Sequence, residues 1–423
     1  MKDIEANHHP LASAESPRRG FRDIVLVGFA EALAAPEVVW SLVNDGFQVV
    51  AFARKGRASA LRHSRHVVCH EICPPEQDSQ RSLTDLRSLL ASLSEPSKNA
   101  RRVLFPLDDK AVGLCSALPL EDQWILAGPQ NGAAELALNK DLQFQAAHEA
   151  GFDVPKAALA NTADEVLKFV AAESFPVILK PAKTVSNQDN RVMECPKWIC
   201  ANRQELDHAV EQWAERVPLL VQKFVTGTGE GLFGLAASDG VRAWSAHRRL
   251  RMMNPHGSGS SACVSEPVSE DIKHKAEQLI ENVGWRGLFM IELLRDSSGK
   301  AWFVELNGRP WGSMALARRQ GLEYPAWQVR LAIDSGSTVG KVSSPAGGVV
   351  CRNAGREFMH LLFVMKGAKS KASTRWPSFW KTMPEILAVH RRDSFYNWRR
   401  DDAKVFFADC YYTVHNNVFK SRH

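Results

Sequence analysis

The chain has 423 residues, 45% hydrophobic and 24% charged, which suits a protein of two or three domains with substantial cores. Its first residues are polar, without the apolar stretch of a secretory signal, and no later apolar run reaches spanning length; with 8 scattered cysteines, a cytoplasmic protein with reduced thiols is expected. The net charge of +6 is uneven: from Ala346 onward 14 Lys/Arg stand against 6 Asp/Glu, so the basic character belongs to the C-terminal segment and no nucleic-acid partner is expected for the whole chain.

In chain order, a flexible leader (1–20) precedes DIVLVGFAEALAAPEVVWSLVNDGFQVVAFAR, which reads as strand, turn, helix from Pro36 to Asn44, and second strand. A helix around Ser82 to Leu93 and a strand at RRVLFPL follow, so 21–130 is expected to be a small doubly wound αβ domain. Its first turn has Gly28 but lacks the closely spaced glycines that admit a pyrophosphate, which argues against dinucleotide binding. The cluster His63, His66, Cys69, His70 and Cys73 matches no closed zinc spacing.

Helices beginning near Asn131 and Asn139 open a second domain, 131–345. From about Phe175 the pattern is strand-rich: FPVILKPA, LLVQKFV, GLFGLAAS, VRAWSAHRR, GLFMIELL and AWFVELN, with hairpin turns at ASDG and DSSG. Helices fit Asn202 to Arg216, Ser269 to Val283 and Met314 to Gln320, giving an antiparallel α+β architecture. A basic, aromatic-rich C-terminal appendage (346–423) completes the chain, with a helix-forming stretch at EFMHLLFVMKGAKSK that would pack on the body or meet a partner or an anionic membrane surface.

The chemistry concentrates in WFVELNGRPWGS. Glu305 and Asn307 stand two apart on a strand, so both side chains leave one face of the sheet, and Glu292 ends the apolar run just upstream. Carboxylates at the ends of apolar runs are expensive to desolvate without a partner. Hard oxygen ligands of this kind fit Mg²⁺, with Mn²⁺ as a substitute, completed by water and nucleotide phosphates. Arg309 would share that face if the strand continues. Gly312 and Ser313 would offer amides to an anion at the next helix start.

The ordered set Gly128-Pro129, the helix with Lys140, Gly151 with Val154-Pro155, the strand ending Lys180-Pro181, LLVQKFVTG, IEL and ELNGR resembles the ATP-grasp superfamily. The similarity is to its carbamoyl-phosphate-synthase-like and carboxylate–amine ligase branch and covers roughly Gly28 to Ser313. It implies two α+β subdomains clasping ATP, the lid subdomain spanning about 158–225. Lys140 and Lys180 would reach the phosphates. Gln222, Lys223, Phe224 and Val225 would meet the adenine edge, and Glu230 the ribose. Glu292, Glu305 and Asn307 would hold Mg²⁺, while Arg309, Arg251 and Lys180 would contact phosphate or the activated acid, and His247, Arg248, Arg249 and Arg251 look like a site for a carboxylate or bicarbonate next to the γ-phosphate.

Two departures stand out: the loop KTVSNQDNR after Lys180 has no glycine where the family's lid is glycine-rich, and Lys223 replaces an acid common in relatives. Ser186, Asn187 and Arg191 would then contact phosphate through side chains. The resemblance implies an ATP-dependent ligase joining a small carboxylate, activated as an acyl phosphate, to an amine, in a protein that could form a homodimer. A bicarbonate-activating carboxylase or carbamoyl-type ligase, and a catalytically weak ATP-binding regulator or scaffold, are the alternative readings.

Overall fold

Residues 24–28 (IVLVG) are apolar on both faces, as a strand buried between helix layers must be. In the computed structural model, which describes residues 23–93, 100–120, 123–193, 195–257, 259–334, 339–368, 376–390 and 393–419, they form β1 (Ile24–Gly28). The leader expected at 1–20 lies outside the described residues. β2 (Gln48–Arg54), β3 (Val68–Ile72), β4 (Arg102–Pro106) and β5 (Trp124–Leu126) complete a parallel sheet in the order β3-β2-β1-β4-β5. This is a doubly wound αβ domain, and its order reverses between β1 and β4.

The helices obey local signals. α1 (Ala35–Asn44) carries Pro36 in its first turn and is followed by Gly46 at φ +93°, a conformation glycine adopts freely. α2 (Ser79–Ser92) and α3 (Asp109–Ser116) start from Asp78 and Asp108, whose carboxylates accept from the backbone N–H of Arg81 and Ala111. α4 (Asn131–Leu138) and α5 (Lys140–Glu149) then lead to the clasp, the Asn139 side chain capping α5.

The lid comprises β6 (Ala157–Ala160), α6 (Ala163–Ala172), β7 (Val177–Pro181), a hairpin of β8 (Asn187–Gln188) and β9 (Arg191–Val192), β10 (Trp198–Cys200), α7 (Arg203–Trp213) and β11 (Leu219–Lys223). Its four-stranded antiparallel sheet runs β10-β7-β11-β6. Val177, Leu179, Leu219 and Val221 bury one face with residues of α6 and α7, and alternation turns Ile178, Lys180, Leu220 and Gln222 to the other.

β12 (Thr228–Ala237), β13 (Gly240–Met252), β14 (Ser260–Glu266), α8 (Glu270–Asn282), β15 (Gly287–Arg295), β16 (Ala301–Asn307), α9 (Met314–Arg319) and α10 (Tyr324–Ile333) build the large subdomain. Leu232, Phe289, Ile291, Leu293, Phe303 and Leu306 pack on α5 and α8 from one face of its sheet. Phe233, Leu235, Leu288 and Met290 join the core of the N-terminal domain from the other face.

The segment after Ala346, expected as an appendage that would pack on the body or meet a partner or membrane, joins the large sheet. β17 (Val350–Arg352) pairs with β14, α11 (Ala354–Lys366) and α12 (Phe379–Leu387) follow, and β18 (Asp393–Phe395) extends a seven-stranded sheet ordered β16-β15-β12-β13-β14-β17-β18. Strands of three residues are too short to register as alternation. α13 (Ala403–Val418) packs on α11, while Trp40 donates its indole N–H to Asp402 at 2.9 Å, tying this segment to the N-terminal domain. No helix among the described residues is long and apolar enough to cross a membrane.

Candidate active site

Glu292 on β15 and Glu305 on β16 are direct cross-strand partners, and Val304 is an extra residue that bulges β16 beside them. Two carboxylates facing each other repel unless positive charge is supplied. Here Arg249 Nη2 lies 2.9 Å from Glu292 Oε1, and Asn307 donates its side-chain N–H to Glu305 Oε1 at 2.9 Å. Burial alone would raise the Glu305 carboxyl, but Lys140, the Asn307 hydrogen bond, Arg309 and Lys180 outweigh it and hold the group below the usual carboxylate range. The structure thus gathers all three expected metal ligands on one patch, with lysines nearby.

Lys180 ends β7 on the lid's inner face, 8% exposed, with its ammonium 4.8 Å from the Phe144 ring centroid. Burial, and then the charge of Lys140, push its pKa down to about 8, while Glu305 and Glu292 pull the other way. Lys140 opens α5; its backbone N–H donates to Ala182 O at 2.8 Å and its ammonium to Thr184 Oγ1 at 2.7 Å. Helix start and strand end are therefore sutured, so the two lysines move as one unit opposite the carboxylates.

Along β11 the Lys223 and Phe224 amides are already engaged, donating to Lys156 O at 3.0 Å and Pro176 O at 3.1 Å. The Gln222 side-chain oxygen, by contrast, is buried without a partner. An orphaned acceptor is costly and fits a donor such as an adenine amino group. Lys223 itself points to solvent, while Val225 and Phe224 are half-buried.

Three expected site residues are held elsewhere. Glu230 pairs with Leu293 and Arg248 across the sheet, one residue of register from Gly231 and Glu292, so its side chain leaves the opposite face. There Arg295 donates to both its oxygens, at 2.7 and 2.8 Å. The cavity beside it, about 250 Å³, has Leu232, Ile272 and Leu293 among its walls and is separated from the carboxylate patch by the sheet. Arg251 is shifted by the extra residue Leu250, which breaks the alternation of β13; it binds Glu357 at 3.0 and 2.8 Å instead. β16 stops at Asn307, so Arg309 turns to the N-terminal domain and donates to both Asp109 oxygens, at 3.0 and 3.1 Å, while its charge still reaches Glu305.

Arg249, expected with His247, Arg248 and Arg251 to form a carboxylate or bicarbonate site, is the arginine that touches the carboxylate patch. The signal was present: Gly229 and Gly231 lie on the neighbouring strand, and a Cβ at Gly229 would come within 2.6 Å of the Arg249 side chain. Beside it, His247 is buried and neutral, its pKa pushed down to about 3 by burial and by Arg249, with Nδ1 2.9 Å from Ser313 Oγ. That contact occupies the hydroxyl of Ser313 at the start of the six-residue α9.

The glycine-free lid loop makes its turn with Asp189 and Asn190, both at positive φ (49° and 59°), a region those residues tolerate better than most. The hairpin docks on the N-terminal domain: Ser79 N–H donates to Asn190 O at 2.7 Å and Val192 N–H to Pro75 O at 2.8 Å. Asn187 and Arg191 are exposed, whereas Ser186 lines a cavity of about 460 Å³ with Lys110, Lys183 and Thr184. His63 and His66 bond to Tyr412 and Asp401, next to the C-terminal helix.

No family model matches the chain. Formate-dependent phosphoribosylglycinamide formyltransferase of Pseudomonas aeruginosa (strain LESB58) is 24% identical over 376 residues, spanning 87% of this chain and 89% of that one. Among solved structures, an N5-carboxyaminoimidazole ribonucleotide synthetase in complex with ADP superposes with a TM-score of 0.58 at 13% identity, covering 86% of this chain and 96% of that one. An L-amino acid ligase from Bacillus licheniformis gives 0.54 at 16% identity over 74% of each chain. These likenesses show that the chain has the ATP-grasp fold.

Proposed function

We propose that this protein is an ATP-dependent carboxylate–amine ligase. The observation that carries the reading is the convergence of Lys140 and Lys180 with Glu292, Glu305 and Asn307 in one charged cluster. Lys180 and Lys140 meet the negative charge of the transferring γ-phosphoryl group as it passes to a carboxylate oxygen. Attack of an amine on the resulting acyl phosphate then gives amide and inorganic phosphate. Glu292, Glu305 and Asn307 would hold Mg²⁺, which would supply positive charge against the phosphates. Gln222, with Lys223, Phe224 and Val225, forms the adenine edge. Arg249 orients the acid, and Arg309, clamped to Asp109, carries the N-terminal domain's position into the site. A cytoplasmic setting suits this small-molecule chemistry. The exposed Trp380, Leu387, Val389 and Phe407 of the basic C-terminal segment support a contact surface for a partner, a second copy or an anionic membrane.

The test is ADP formation from Mg·ATP across a panel of acids and amines. Release stimulated by one acid–amine pair, with stoichiometric phosphate and amide, is expected. Binding of ATP without stimulation by any pair would sink the assignment.

A further inference from the structure

Beyond Arg249, the same face of the large sheet holds a second buried arginine that the proposed reaction leaves unused. Arg356 lies in the first turn of α11, deeply enclosed yet keeping some solvent contact, as a side chain at the bottom of a recess does. Its side chain has a single described hydrogen bond, from Nη1 to Ser260 O at 3.2 Å, and among the described residues no carboxylate lies within ion-pair distance. Asp409, whose charge it feels, accepts instead from the side-chain amides of Asn353 and Asn397, at 3.0 and 3.1 Å, and burial pushes that carboxyl up towards its neutral form. An enclosed guanidinium without an ion-pair partner is unstable where it stands.

Its surroundings are polar and unsatisfied. The Tyr396 hydroxyl, on a ring 1% exposed, lies beside Cys263 and Ser260 but makes no well-aligned hydrogen bond. Cys263 donates to Ser260 Oγ at 3.1 Å and is the cross-strand partner of Arg249, whose Nε is also buried and unpartnered. Gly259 leaves the space that Arg356 fills, since a Cβ there would come within 2.5 Å of Nη1. Arg249 is thus linked through its strand partner Cys263 to Ser260 and Arg356, with Tyr396 beside them, leading away from the carboxylate patch. Glu292 and Cys263 stand on strands three places apart, so roughly 14 Å of sheet separates their backbones at ~4.8 Å per strand.

We propose that Arg356 and the Tyr396 hydroxyl form a subsite for a second anionic group, carboxylate or phosphate, on the acid substrate, whose reacting carboxylate lies at Arg249. This rests on the ligase reading for the reacting end, but not for the anion site itself. The substrate class is then a two-ended acid, long enough to reach from Arg249 to Arg356.

Calorimetric titration with glutarate and with inorganic phosphate, without ATP, tests the subsite alone; ADP formation with mono-acids, dicarboxylic acids and phosphorylated acids tests its use. Saturable binding to the wild type, weakened at least tenfold in Arg356→Met and partly restored in Arg356→Lys, is expected. In turnover, Arg356→Met should raise KM for the two-ended acid at least tenfold while KM for ATP stays within twofold. Whether dicarboxylic or phosphorylated acids are preferred identifies the second group. Tyr396→Phe, which keeps the ring packing, should weaken probe binding if Arg356→Met fails to fold. Equal probe binding by wild type and folded variants, or no saturable binding to the wild type, overturns the proposal. Absence of ADP formation with every acid would instead sink the ligase reading while leaving the binding result to judge the subsite.

Discussion

The two faces of the seven-stranded sheet differ by one residue of register. On one, Leu232, Ile291, Leu293 and Leu306 bury against α5 and α8, and Glu230 sits at the margin, saturated by Arg295. On the other, Glu292, Glu305, Asn307 and Arg249 meet across glycines and face the lid lysines. Both faces carry a glutamate, yet only the second brings two carboxylates together with several cations. Glu230 is closed by a bidentate arginine, whereas Glu292 and Glu305 face each other with Arg249 and the lysines around them.

The largest effect should separate these two glutamates. Glu305→Ala is expected to lower ADP formation by roughly 10²-fold or more, because it removes charge aimed at the transferring group. Glu230→Gln should leave kcat within about threefold and lower stability by less than about 1 kcal/mol, since the pair it breaks is partly exposed. Equal losses in the two variants would break the assignment of faces.

Next in size, the two arginines of β13 should fail differently. Arg249→Met is expected to raise KM for the acid about tenfold or more. Arg251→Met leaves Glu357, 3% exposed, with Arg352 as its remaining cation, and should cost about 3 kcal/mol of stability in a denaturant titration. A stability loss confined to Arg249→Met would reverse their roles.

A smaller, graded effect concerns pH. Lys180 is charged below about pH 8 and loses its proton above it, so ATP affinity should fall as pH rises through that value. Stability runs the other way: because the folded state depresses this pKa, the unfolded chain binds more protons between about pH 8 and 10.5, and the group's contribution improves with pH across that window. Lys180→Met should flatten both trends, as fluorescence titrations and thermal melts between pH 7 and 10 would record. The smallest effect belongs to the lid: Asp189→Gly should relieve a left-handed residue and change stability by less than about 1 kcal/mol.

How much of this was legible in the sequence follows the same contrast. Glu305 and Asn307 were readable because period-two alternation is local, and the parallel sheet showed in its apolar runs. Glu230 was not, since which face an alternating residue takes depends on its partners Leu293 and Arg248, far along the chain. Arg251 and Arg249 were interchangeable until the bulge at Leu250, set by pairing with β14, fixed which turned inward. Arg309 and Asp109 are 200 residues apart, and no local pattern announces such a contact. The C-terminal segment was visible as basic and aromatic, but its entry into the sheet rests on two three-residue strands.

The central claim is that one face of this sheet holds a metal that carries ATP, and the Mg²⁺ dependence of ATP affinity tests it most directly. Calorimetric titration of wild type and of the double variant Glu292→Gln, Glu305→Gln, with Mg²⁺ and with chelator, is expected to show tighter binding with Mg²⁺ in the wild type alone, the metal-free affinities of the two proteins agreeing within about threefold. Metal-independent binding by the wild type, or metal dependence retained by the double variant, would contradict the account.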